Sequence, residues 1–167
     1  MTGPELLADG FGRVREVVHE VLEGLTPGDL AVRLGGEANS MAWLVWHLTR
    51  VQDDHVAAVA GTDQVWTSGW SARFALAIEE SDIGYGHSSE QVAAVTADAE
   101  ALRGYHDDVH QATLRYLAAL TDADLDRVVD ERFDPPVTLA VRLVSVLADD
   151  LQHAGQAAYV RGLLQRG

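Results

Sequence analysis

The sequence predicts an all-α protein, a four-helix bundle in which two of the connections are long. Apolar residues recur at three-and-four spacing over four long stretches, the pattern of helices that bury one stripe. Those stretches are bounded by capping residues or by glycine and proline. Strict alternation, which would mark half-buried strands, is nearly absent. The 167 residues suit one domain, 1–167, with enough chain to bury a core. No internal repeat is visible.

The first helix is expected from about Pro4 to Gly24, with Leu7, Phe11, Val14, Val18, Val21 and Leu25 on its stripe and His19 off it. Thr26-Pro27-Gly28-Asp29 starts a short capped turn ending near Arg33, and Gly35-Gly36 then break the chain. Asn39 or Ser40 caps the second long helix, Met41 to Ala60, which Gly61 stops. Its opening, Met41-Ala42-Trp43-Leu44-Val45-Trp46, is so apolar that the helix belongs at the centre of the bundle. His47 shares a face with Leu44, Val51 and Ala58 and should point inward, as a satisfied core residue or as a ligand. His55 lies nearer the polar edge, beside Asp53 and Asp54.

Gly61 to His87 forms a long connection with Trp66, Trp70, Phe74 and Tyr85, glycines at Gly69, Gly84 and Gly86, and a short helix within Ser71–Ile78. A segment this long in a compact domain is either a pocket wall or a plug on one end of the bundle. The capping box Ser88-Ser89-Glu90-Gln91 opens a third long helix, expected to reach Leu120. His106 and His110 stand four apart on it, a metal-compatible spacing. The helix's stripe favours His106 inward or at the edge and His110 outward, with a structural or surface role for the pair. After a second capped turn at Thr121–Asp126, Asp134-Pro135-Pro136 leads into the last helix, Thr138 to Arg166.

That last helix is the chemical centre of the chain. Leu139, Leu143, Val146, Ala157, Val160 and Leu164 set its buried stripe, and Asp149 and His153 fall on the same stripe one turn apart. At that spacing both side chains can converge on one metal-sized point beside the helix. A carboxylate in an apolar stripe is costly unless it is paired or coordinated. The residues themselves leave two solutions, a metal site or an Asp149–His153 hydrogen-bonded pair.

Composition narrows the chemistry. Against 12 basic residues stand 26 acidic ones, for a net charge of −14, a field that repels phosphate backbones; no nucleic-acid partner is expected. No apolar run approaches the roughly 20 residues of a membrane span. Met1-Thr2-Gly3-Pro4-Glu5 lacks the regions of a signal peptide, so a cytoplasmic location is expected. The absence of cysteine excludes disulfides, cysteine metal sites and a thiolate of the protein's own. Lysine is absent too, which excludes Schiff-base chemistry and a P-loop lysine. A nucleophile must be a hydroxyl, a carboxylate, a histidine, an activated water or a group that the ligand brings.

His47, Asp149 and His153 sit within Asn39-Ser40-Met41-Ala42-Trp43-Leu44-Val45-Trp46-His47-Leu48 and His153-Ala154-Gly155-Gln156, the latter followed by Arg161-Gly162. Gly84-Tyr85-Gly86-His87-Ser88 completes the set. With these motifs the whole chain resembles the DinB-like superfamily of metal-binding four-helix bundles. Within it, the chain is most similar to the actinobacterial branch that includes mycothiol-dependent maleylpyruvate isomerase. The resemblance implies one divalent metal held by His47, Asp149 and His153. The family usually pairs two His, or Glu and His, on the last helix; here Asp149, with its shorter reach, takes the first position and Asp150 competes with it. Zinc suits such donors best and nickel has similar preferences.

The resemblance further implies a low-molecular-weight-thiol-dependent S-transferase or isomerase, in which a metal-bound thiolate, with mycothiol as the thiol, attacks a small electrophile. Arg50 and Arg161, one and two turns beyond the ligands, would hold substrate carboxylates. A homodimer is also implied. A hydrolase using bound water and a non-catalytic metal- or ligand-binding bundle are the alternatives.

Overall fold

The computed structural model describes residues 1–165; Arg166, expected at the end of the last helix, lies outside them. In chain order the helices are α1 (Gly3–Leu22), α2 (Pro27–Leu30), α3 (Met41–Ala60), α4 (Trp70–Phe74), α5 (Ser89–Ala94), α6 (Ala99–Ala118) and α7 (Leu139–Leu164). The long ones, α1, α3, α6 and α7, form the bundle: α3 packs on α6 and α7, and α1 closes the ring on the other side. The architecture is the all-α bundle that the apolar stripes predict.

The local reasons are those of helix capping. Thr2 closes a capping box with Glu5 at the start of α1. The Ser40 hydroxyl accepts from the Trp43 amide, and Gly61, left-handed at φ 68°, ends α3 where expected. From Met41 to Asp53 every residue of α3 is buried, so the apolar opening does mark the central helix. The expected third helix is broken in two. Val95 is extended (ψ 97°) and buried in the core, and Asp98 then caps α6 through the Ala101 amide. A β-branched residue anchored in the core, followed by a strong N-cap, interrupts what periodicity alone joined.

A small antiparallel hairpin, β1 (Val128–Asp130) with β2 (Val137–Thr138), precedes α7; strands this short carry no alternation to read. In the long connection, Trp66 packs against Trp46, Phe74 and Tyr105, and the Trp70 indole N–H donates to Asp108. These aromatics plug the side of the bundle. Among the described residues no helix is long and apolar enough to cross a membrane.

On α7 the buried stripe runs Leu139, Leu143, Val146, Asp150, Ala154, Ala157 and Val160. Asp149 and His153 are therefore not on the stripe but at its edge. Three-and-four spacing between Val146 and Ala157 is satisfied both by the 149/153 track and by the 150/154 track; packing selects the second. The result turns Asp149 and His153 toward α3.

Candidate metal centre

His47 reaches the edge of α7 from the second turn of α3. Its Nδ1 bonds to the Ile83 carbonyl, which can only accept, so Nδ1 carries the proton and Nε2 keeps a lone pair. Trp43, one turn earlier, stacks on the imidazole with centroids 4.4 Å apart. The connection comes this close because residue 84 is glycine: its φ is +100°, and a Cβ there would stand 2.5 Å from His47 Nδ1. Burial, opposed by the Ile83 hydrogen bond, pushes the His47 pKa below the ordinary imidazole range, so the ring is neutral at pH 7.

His153 is oriented in the same manner. Its Nδ1 lies 3.0 Å from Gln156 Oε1, which leaves Nε2 turned toward Asp149 Oδ1 at 3.7 Å. The rings of His47 and His153 meet edge to face with centroids 4.8 Å apart. The Asp149 Oδ2 atom is buried and has no hydrogen-bond partner. One donor atom from each of His47, Asp149 and His153 lies within 4.8 Å of the other two, the only such group of His, Cys, Asp or Glu among the described residues.

The donor set fits a divalent cation. Ligands bonded to zinc at about 2.0–2.2 Å lie within about 3.7 Å of one another, a side-chain adjustment away from the observed spacing. Each imidazole is held by a hydrogen bond on its far nitrogen, the usual support of a metal-ligating histidine. The orphaned Asp149 oxygen is costly without a cation. Asp150, by contrast, is fully buried in the bundle, and desolvation with Asp149 close by pushes its carboxyl well above the usual range. Of the two neighbouring carboxylates, Asp149 is the one that joins the histidines.

The other candidates are placed differently. Arg50 is fully buried and donates to Gln64 Oε1 (2.7 Å), Tyr105 OH (3.3 Å) and the Asp82 and Glu80 carbonyls, tying the long connection to α3. Arg161 donates to the Val21 and Glu23 carbonyls at the end of α1. Both guanidinium groups are committed to the protein's own acceptors. His106 and His110 are both buried, against the expectation that His110 points outward, because α6 is covered by α1 on one side and α3 on the other. His106 donates to Thr49 Oγ1 at 3.2 Å, whose own proton goes to the Val45 carbonyl. Neither histidine gathers a third ligand.

Ile83, Tyr85 and Gln156 are the supports that spacing alone could not reveal. Tyr85 packs edge-on against His47 at 5.3 Å and is largely exposed. Trp43 Nε1 donates to His87, which bonds Asp82 through its other nitrogen. The Gly84-Tyr85-Gly86-His87 motif thus builds the outer side of the centre, while Trp66 and Trp70 of the same connection do not.

A family profile described as the DinB superfamily matches residues 11–157, and the chain belongs to that superfamily. A conserved protein from Enterococcus faecalis, known from a crystal structure, is 30% identical and superimposes with a TM-score of 0.92, over 100% of this chain and 99% of that one. Comparison with curated proteins finds no match. Membership fits a metal-binding helical protein, in agreement with the clustered His47, Asp149 and His153.

Proposed function

We propose that this protein binds one divalent metal, zinc in preference to nickel, through His47, Asp149 and His153. We propose further that it uses the site as a thiol-dependent S-transferase or isomerase of the mycothiol-using, actinobacterial type. The observation that carries the reading is the gathering of one donor atom each from His47, Asp149 and His153 within 4.8 Å, beside a buried Asp149 oxygen that has no hydrogen-bond partner. When bound, such a metal supplies Lewis acidity that makes a thiol or water nucleophilic at neutral pH. The protein has no cysteine, so a thiol nucleophile must come from outside.

The protein's own part is positioning. Ile83 and Gln156 fix the imidazoles, and the Trp43 indole covers one face of His47 and keeps water from it. Tyr85 stands at the open side, where burial and the nearby carboxylates keep its phenol protonated above the ordinary range. It is a hydrogen-bond donor for negative charge developing on an electrophile. The proposed partners are a small electrophile, mycothiol and a second copy of the chain, in the cytoplasm.

The test is turnover by zinc-loaded protein given mycothiol and an α,β-unsaturated acid or an alkyl halide, followed by mass spectrometry. A thioether product indicates transfer, and an isomer with the thiol recovered indicates isomerisation. Product formation that is independent of thiol would replace this reading with a hydrolase. Metal binding without turnover would leave a non-catalytic bundle.

A further inference from the structure

Apart from Arg161, which caps α1, the half-buried polar side chains of α3 and α7 are Asp54, His55, Arg142, Asp149 and His153. They lie along the seam between the two helices. The two helices run antiparallel, for His47 meets His153 while His55 meets Arg142. Two turns along that seam from the candidate metal centre lies a cavity of about 560 Å³ whose walls include Asp54, His55, Arg127, Asp130, Arg132 and Arg142. Three arginines against two carboxylates leave the cavity with a positive surplus in a chain of net charge −14.

Arg142 is held in place without being saturated. Asp130 Oδ2 accepts from one of its terminal nitrogens at 3.1 Å, and the other lies 3.4 Å from His55 Nδ1. A guanidinium has five N–H donors, so three remain available on a side chain with 22% exposure. Asp130 is gripped in turn by Arg132 at 2.9 and 2.7 Å, which holds both cations at the cavity. From Arg142 to Asp149 the helix rises about 10 Å. At the metal end, Tyr85 packs edge-on against the His47 ring.

We infer that this cavity is the acid-binding end of the seam, taking the carboxylate tail of a small molecule whose reactive head lies at His47, Asp149 and His153. The head rests on the function proposed above; the tail does not. A purely structural role, with Asp130 pinning the hairpin to α7, would make Arg142 matter for stability but not for ligand choice.

Cobalt-loaded protein, in which thiolate binding is visible by absorption, is titrated with ω-mercaptocarboxylates of increasing length and with the matching mercaptoalcohols. The acid should bind roughly tenfold tighter than the alcohol, as a charge-assisted bidentate contact provides, once the chain spans about 10 Å. Arg142→Gln should remove that advantage, Arg142→Lys should restore part of it, and the alcohol's Kd should stay put in both. Acid and alcohol binding alike at every length, or an advantage that survives Arg142→Gln, would overturn the inference. If no thiol binds cobalt at all, the function proposed above fails instead. Calorimetry of adipate with metal-free protein then decides the acid end: binding lost in Arg142→Gln supports it, and no binding to the unsubstituted protein overturns it.

Discussion

Gly84 controls how closely the long connection approaches His47, because its φ of +100° is available to glycine and a Cβ would collide with the imidazole and with Trp46. Gly84→Ala should leave the bundle folded while displacing the Ile83 carbonyl from His47. Loss of such a supporting hydrogen bond weakens metal binding roughly 10–100-fold, which competition with a chromophoric chelator would read. A second residue-scale consequence concerns pH. Burial lowers His106 to about 3, whereas the unfolded chain titrates near 6.5. Between those values the unfolded state binds a proton that the native state refuses, so stability rises with pH and is lost as pH falls below 6.5. The slope from this residue is about 1.4 kcal/mol per pH unit. His47, His55 and His110 are shifted the same way by burial, while Asp53 and Asp150 are shifted upward and act oppositely. The difference between the unsubstituted protein and His106→Gln isolates the His106 share. Urea unfolding of metal-free protein from about pH 4 to 7 should show a shallower pH dependence in the variant.

The elements differ in how far the chain announces them. α3 was legible nearly throughout: of the two expected caps, Asn39 or Ser40, Ser40 is the one used, Gly61 ends the helix and its apolar opening marks the central position. The α7 register was not. From Val146 a step of three or of four continues the stripe, and only the bundle around it decides that Asp150 and Ala154 are buried while Asp149 and His153 face α3. The same short-range ambiguity hid the break at Val95 and the inward turn of His110. The aromatic connection divided its roles: Trp66 belongs to the core, and Ile83 to Tyr85 belong to the centre. Trp66→Ala should therefore cost about 3–5 kcal/mol in stability, as large buried aromatics do. Its metal affinity should stay within twofold or so of the unsubstituted protein, which calorimetric titration alongside thermal unfolding would check.

At the scale of the molecule, α7 carries two apolar tracks. One enters the core; the other, Val141, Val144, Ala148, Leu151, Gly155 and Ala158 with Tyr159 beside it, faces outward and bears no charge. Val141, Val144, Leu151 and Tyr159 keep 46 to 67% of their surface exposed, on a helix about 39 Å long. The second copy that we propose fits this face, because an uncharged strip escapes the repulsion that the net charge of −14 imposes elsewhere. Leu151, near the helix midpoint, would then lie on the two-fold axis. Sedimentation should find a dimer that Leu151→Asp converts to folded monomer; a monomer without the substitution, at micromolar concentration, would refute the interface. A bound metal at His47, Asp149 and His153 is tested by ion content. Protein purified without chelator and loaded with zinc should hold about one ion per chain by mass spectrometry. His47→Ala and His153→Ala should hold almost none, and His106→Ala should hold as much as the unsubstituted protein. An empty His106→Ala protein beside a loaded His47→Ala protein would contradict the assignment and move the metal to α6.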